Sequence, residues 1–137
     1  MNRLGFVVAA GTGRPVRAAG GELLASASDT GGAFSLLVSR VPQGDHVPLH
    51  VHDETDEAFF ILEGRYRITC GGQLWHAQTH DFVFLPRAVP HAYEVAEGPA
   101  SKLILAAPGG IEDFFEDLGA GASPDELTHR HGVRFLG

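Results

Sequence analysis

The chain has 137 residues, 44% of them hydrophobic and 20% charged, a balance that suits one soluble globular domain over residues 1–137 and excludes a disordered or fibrous chain. A net charge of −7, with nine arginines and one lysine scattered along the chain, excludes a nucleic-acid binder, which needs a basic stripe against phosphate. Cys70 is the only cysteine, so there is neither a disulfide framework nor a cysteine metal cage, and no apolar run approaches the roughly 20 residues of a membrane helix.

Glycines and prolines interrupt short apolar stretches at close spacing, the pattern of an all-β sandwich or barrel. The opening run from Leu4 to Ala10 resembles a signal peptide but is broken by Gly5 and at the short limit for such a segment; it reads as an early strand of a cytoplasmic protein. The spacing predicts strands at 5–9, 22–27, 33–41, 57–63, 65–70, 73–77, 82–85, 91–95 and 101–106. The turns between them are signalled by Gly31-Gly32, Pro42 to Asp45, Glu63-Gly64, Gly71-Gly72 and Glu97 to Pro99. Gly11-Thr12-Gly13 lacks a phosphate-binding context and reads as a loop.

Helical signals come only at the end, across 111–132. Ile111, Phe114, Phe115 and Leu118 form an i, i+3, i+4, i+7 stripe stopped by Gly119. Ser123, Pro124 and Glu126 then read as N-cap, N1 and N3 of a second short helix ending at Gly132. Both helices are expected to pack on the outside or at the mouth of the β structure.

The chemistry concentrates in four side chains. His50 and His52 are two apart, so on an extended strand both imidazoles aim to one side. Glu57 opens the next strand, where parity with Phe59 and Ile61 places it inward and leaves Asp56 outside; His91 follows Pro90 much later. Three imidazoles and one carboxylate make a site for one divalent transition ion per chain, and iron, nickel, manganese, cobalt and zinc all accept such ligands. Four such groups buried together without an ion would be strained. The other histidines, His46, His76, His80, His129 and His131, read as surface residues. Tyr66 and Tyr93 fall on the inward face with the ligands, and with Phe59 they are the candidate substrate contacts.

These two runs resemble the paired motifs of the cupin superfamily of jelly-roll β barrels. The first motif, over 44–64, is matched without a gap by Gly44, His50, His52, Glu57 and Gly64; the second, over 81–95, is matched by Pro86, Pro90 and His91. His80 and Ala88 stand where the family usually has glycine, and Val95 stands where it often has asparagine. The stretch Asp29 to Phe34, the pair Phe114-Phe115 and the ending from His131 to Leu136 are similar to single-domain cupins of the quercetin 2,3-dioxygenase-like group.

The resemblance implies a metal-dependent dioxygenase acting on an aromatic or enolic small molecule. In that reading Glu57 is both a ligand and, if it detaches, the general base. The same ligands would serve a non-redox cyclase, isomerase or lyase, or a non-catalytic small-ligand-binding cupin. A homodimer is also expected. Phe60 and Leu62 give the strand after Glu57 a second apolar face that needs a cover, and the apolar N-terminal run needs one too.

Overall fold

A computed structural model describes residues 4–137. Nine antiparallel strands form one curved sheet: β1 (Arg14–Val16), β2 (Gly21–Ala25), β3 (Ser35–Val41), β4 (His46–His52), β5 (Asp56–Cys70), β6 (Gln73–Gln78), β7 (Phe82–Leu85), β8 (His91–Ala107) and β9 (Val133–Phe135). The order β1-β2-β3-β8-β4-β9 runs along one path, while β5 pairs with β6, β7 and β8. The long strand β8 therefore belongs to both halves, its first part facing β4 and its second part facing β3, with β5 alongside throughout. This is a jelly-roll barrel with two helices, α1 (Ile111–Gly119) and α2 (Pro124–His131), at the C-terminal end.

Alternation fills the interior. From β5, Phe59, Ile61, Tyr66 and Ile68 point inward and are buried. From β8 come His91, Val95, Lys102, Ile104 and Ala106, and from β3 Ser35, Leu37 and Ser39. The outward residues Phe60 and Leu62 are exposed beside Phe82, Phe84 and Leu105. Neither a second sheet nor the helices supply the expected outer cover within one chain.

Two pairs of expected strands are single elements. Residues 57–63 and 65–70 form one continuous β5, because Glu63-Gly64 is a bulge rather than a hairpin turn: the β5–β8 register shifts between Ile61 and Tyr66. Gly64 has φ 82, and a Cβ there would lie 2.6 Å from that of Ala100, so the bend requires glycine. Likewise 91–95 and 101–106 join into β8.

Residues 5–9 are not a strand. This run finds no neighbouring strand to take its backbone hydrogen bonds, and Leu4, Phe6 and Val7 are exposed. The first strand begins instead at Arg14, antiparallel to β2.

Two further strands escape the pattern reading. Strand β4 contains Pro48 and lacks an alternating apolar set, although it carries the His50–His52 pair. Strand β9 is three residues long. No helix among the described residues is long and apolar enough to cross a membrane.

The helices follow the expected caps. Ser123 Oγ accepts from the Glu126 amide at 3.2 Å, Pro124 stands at N1, and Gly132 closes α2 with φ 67. His131 Nε2 lies 2.6 Å from Asp117 Oδ2, tying α2 to α1. This corrects the reading of His131 as a free surface residue, since its side chain is only 15% exposed.

Candidate metal centre

The ladder between β4 and β8 sets His50 directly opposite His91, and β5 brings Glu57 in from the side. All four expected ligands are buried, and one ligand atom from each lies within 4.8 Å of all the others. Glu57 Oε1 is 2.8 Å from His52 Nε2 and 3.4 Å from His91 Nε2. Yet no donor approaches that oxygen in hydrogen-bonding geometry, so the atoms crowd around a shared point instead of lying along N–H···O lines. Ligand atoms about 2.1 Å from an octahedral ion sit about 3 Å apart as neighbours and about 4 Å apart across it. The separations fit such an ion, and the donor set of three nitrogens and one oxygen fits a divalent transition metal.

The backbone orients the rings. His50 Nδ1 is 2.8 Å from the Pro48 carbonyl, and His91 Nδ1 is 3.4 Å from that of Val89. A proton held on Nδ1 by these carbonyls leaves Nε2 with a free lone pair facing the centre.

Electrostatics agree. Burial, and then the charge of His91, lower the His50 pKa to about 4, so its ring is neutral at pH 7. Burial pushes the Glu57 carboxyl up, but the imidazoles of His52 and His91 outweigh it and hold the group ionised, well below the usual carboxylate range. Neutral imidazole and charged carboxylate are the coordinating forms.

The quartet opens on a cavity of about 280 Å³, walled by Phe59, Tyr93 and Ile104 on the barrel side and by Ile111, Phe114 and Leu118 from α1. The Phe114 ring meets the His52 ring edge-on at 5.9 Å, so α1 covers the metal side of the barrel mouth. Of the three expected substrate contacts, Phe59 and Tyr93 stand on the wall. Tyr66 does not: it lies one layer deeper and fully buried, its ring 5.8 Å from that of Tyr93.

Two charged residues of this region escaped the sequence reading. Asp45, on the cavity wall, accepts a hydrogen bond from Tyr93 Oη at 3.2 Å; it sits in a turn signal and nothing marked it. Lys102 is fully buried inside the barrel. Its parity with Ile104 and Ala106 on the same strand was a legible sign that it points inward.

Residues 37–106 match the family described as the cupin domain, a span that holds both histidine runs and Glu57. The chain belongs to the cupin family. Over 98 residues it is 30% identical to the quercetin 2,3-dioxygenase of Bacillus subtilis (strain 168), covering 72% of this chain and 29% of that protein. Over 107 residues it is 27% identical to the quercetin 2,3-dioxygenase of Aspergillus japonicus, covering 73% of this chain and 30% of that protein. The chain thus spans under a third of the length of these curated relatives. Among solved structures, KdgF from Halomonas sp. superposes with a TM-score of 0.60 at 14% identity, covering 66% of this chain and 78% of that one, a likeness of fold.

Proposed function

We propose that this cupin is a metal-dependent dioxygenase that takes an aromatic or enolic small molecule into the cavity beneath α1. One observation carries the reading: a buried quartet of three neutral-capable imidazoles and one carboxylate opens directly onto a small cavity walled by aromatic side chains. Similarity to two quercetin 2,3-dioxygenases supports the choice of reaction over a lyase or isomerase.

His50, His52, Glu57 and His91 would hold the ion. A redox-active divalent metal there would supply Lewis acidity toward a substrate oxygen and a route to dioxygen chemistry. The chain's own residues do the rest. Phe59 and Tyr93, their rings perpendicular at 87°, form an aromatic corner of the wall against which a planar substrate packs. Glu57, held ionised, accepts the proton of the substrate's hydroxyl, because it is the one carboxylate of the quartet and it lines the cavity. Phe114 and Leu118 on α1 keep bulk water from the reacting atoms.

The test is oxygen uptake by the metal-loaded protein across a panel of phenolic and enolic compounds, quercetin included, with product analysis. Stoichiometric oxygen consumption with ring or enol cleavage is expected. Turnover that continues undiminished without oxygen would replace this reading by the cyclase, isomerase or lyase one. We also propose a homodimer that covers the outer apolar face of β5 and β7.

A further inference from the structure

Lys102 is the chain's one lysine, and it is buried at the centre of the barrel. Its Nζ lies 3.6 Å from the centroid of the Tyr93 ring, 4.4 Å from that of Tyr66 and 4.7 Å from that of Phe59. No hydrogen-bond acceptor reaches the amine, and the hydroxyl of Tyr66 is likewise without a partner. Three ring faces attract an ammonium but replace only part of its lost hydration. A methionine or leucine would fill the same space without that penalty.

Two of the three rings, Phe59 and Tyr93, are walls of the substrate cavity. The charge therefore stands one ring's thickness behind the surface a ligand would touch. The two carboxylates that act on it through space, Glu57 and Asp45, are both engaged elsewhere, Glu57 with the quartet histidines and Asp45 with the Tyr93 hydroxyl. A cation behind an aromatic ring withdraws density from it, which sharpens the Tyr93 hydroxyl as a donor and makes the opposite ring face more tolerant of negative charge. An anion on the cavity side of these rings would meet the field of the Lys102 ammonium behind them.

We propose that Lys102 is a positioning residue that, acting through Tyr93 and Phe59, makes the cavity select an organic oxyanion: a phenolate, enolate or carboxylate. The proposal rests on the reading of this cavity as the substrate site. It adds to that reading the charge state in which the substrate is held and the residue responsible.

Benzoate and benzamide share ring and size but differ in charge, and titration calorimetry of each against the protein with its bound metal tests the idea. At pH 6, below the lowered Lys102 pKa of about 7, the amine carries its proton and wild type is expected to prefer benzoate. Lys102→Met should weaken benzoate about tenfold and leave benzamide within about twofold, with metal content unchanged. Lys102→Leu should behave as Lys102→Met does, and Lys102→Arg should restore part of the preference.

The wild-type protein offers a second readout that does not depend on any variant folding. In protein labelled with ¹⁵N-lysine, the single side-chain signal should shift on adding benzoate and stay in place with benzamide. An unchanged benzoate-to-benzamide ratio in Lys102→Met, or an equal loss of both ligands, overturns the proposal and leaves the cavity reading standing. Failure of wild type to bind either probe overturns both.

Discussion

His50 and His91 face one another across the β4–β8 ladder, with their rings 4.4 Å apart. The backbone hydrogen bonds of that ladder fix two of the four candidate ligands relative to each other, whether or not an ion is bound. Glu57 is fixed in turn by its register with Leu85 on β7 and Ala106 on β8. The site is therefore part of the barrel's framework, so its ligands can be replaced one at a time with limited damage to the fold.

Metal binding is the first consequence. His52→Ala or His91→Ala should reduce bound metal from one ion per chain to near zero by elemental analysis, since each removes a ligand that no other residue can replace. Glu57→Gln, which keeps shape but loses charge, should retain part of the metal and lose most activity, because its amide is a poor base. Full occupancy in both alanine variants would overturn the quartet.

How far this site was legible in the sequence varied from residue to residue. His50 and His52 were readable from spacing alone, and Glu57 from its parity with Phe59 and Ile61. The partnership of His50 with His91 was not, because it depends on which strands lie side by side. Glu63-Gly64 read as a turn although β5 bends through it, since a positive-φ glycine serves a bulge and a hairpin equally well. Residues 5–9 carry a strand-like apolar pattern, but a strand exists only where a neighbour accepts its hydrogen bonds. Strand parity placed Tyr66 inside the barrel, where it is buried, but parity does not give depth, and Tyr66 stands off the cavity wall.

Stability should respond to pH through Lys102. Burial lowers its pKa from 10.5 to about 7, while Glu57 and Asp45 offset part of that shift. Between about pH 7 and 10 the unfolded chain carries a proton on this amine that the folded chain lacks, so stability rises with pH, by at most about 1.4 kcal/mol per unit. Above that window the sign reverses. Tyr66 and Tyr93, raised above the ordinary phenol range chiefly by burial, keep protons that the unfolded chain gives up. Denaturant titrations from pH 7 to 11 at constant metal occupancy should show a maximum, and Lys102→Met should flatten the rising limb.

The outer face predicts the assembly. Phe60, Leu62, Phe82, Phe84 and Leu105 are exposed side by side on β5, β7 and β8, an apolar area that a single chain leaves open to water. Light scattering at micromolar concentration should give twice 14.6 kDa for the wild type. Phe82→Glu with Phe84→Glu should return the mass to that of one chain without loss of metal. A wild-type mass of one chain would remove the dimer.

His80 and Ala88 stand where cupins usually have glycine, and they are the two non-glycine residues with positive φ among the described residues, at 72° and 64°. The backbone at both positions has the left-handed geometry that favours glycine. It is held there by hydrogen bonds from the His80 amide to the Ile61 carbonyl at 2.7 Å and from the Ala88 amide to the His52 carbonyl at 2.8 Å. Left-handed backbone costs an ordinary residue about 1 kcal/mol or more, whereas glycine loses about 0.5 kcal/mol of that advantage through its freer unfolded chain. Ala88→Gly should therefore raise stability by about 0.5 kcal/mol, a gain of about 2 °C in melting temperature. Ala88→Val should lower it by more than that, since a branched side chain tolerates this region worst. His80→Gly should show no such gain, because it also gives up the stack of the imidazole on Phe60, whose ring centroids are 6.0 Å apart. Thermal melts of the three variants at equal metal content decide it: a loss of stability in Ala88→Gly would show that the left-handed turn is not strained by alanine at all.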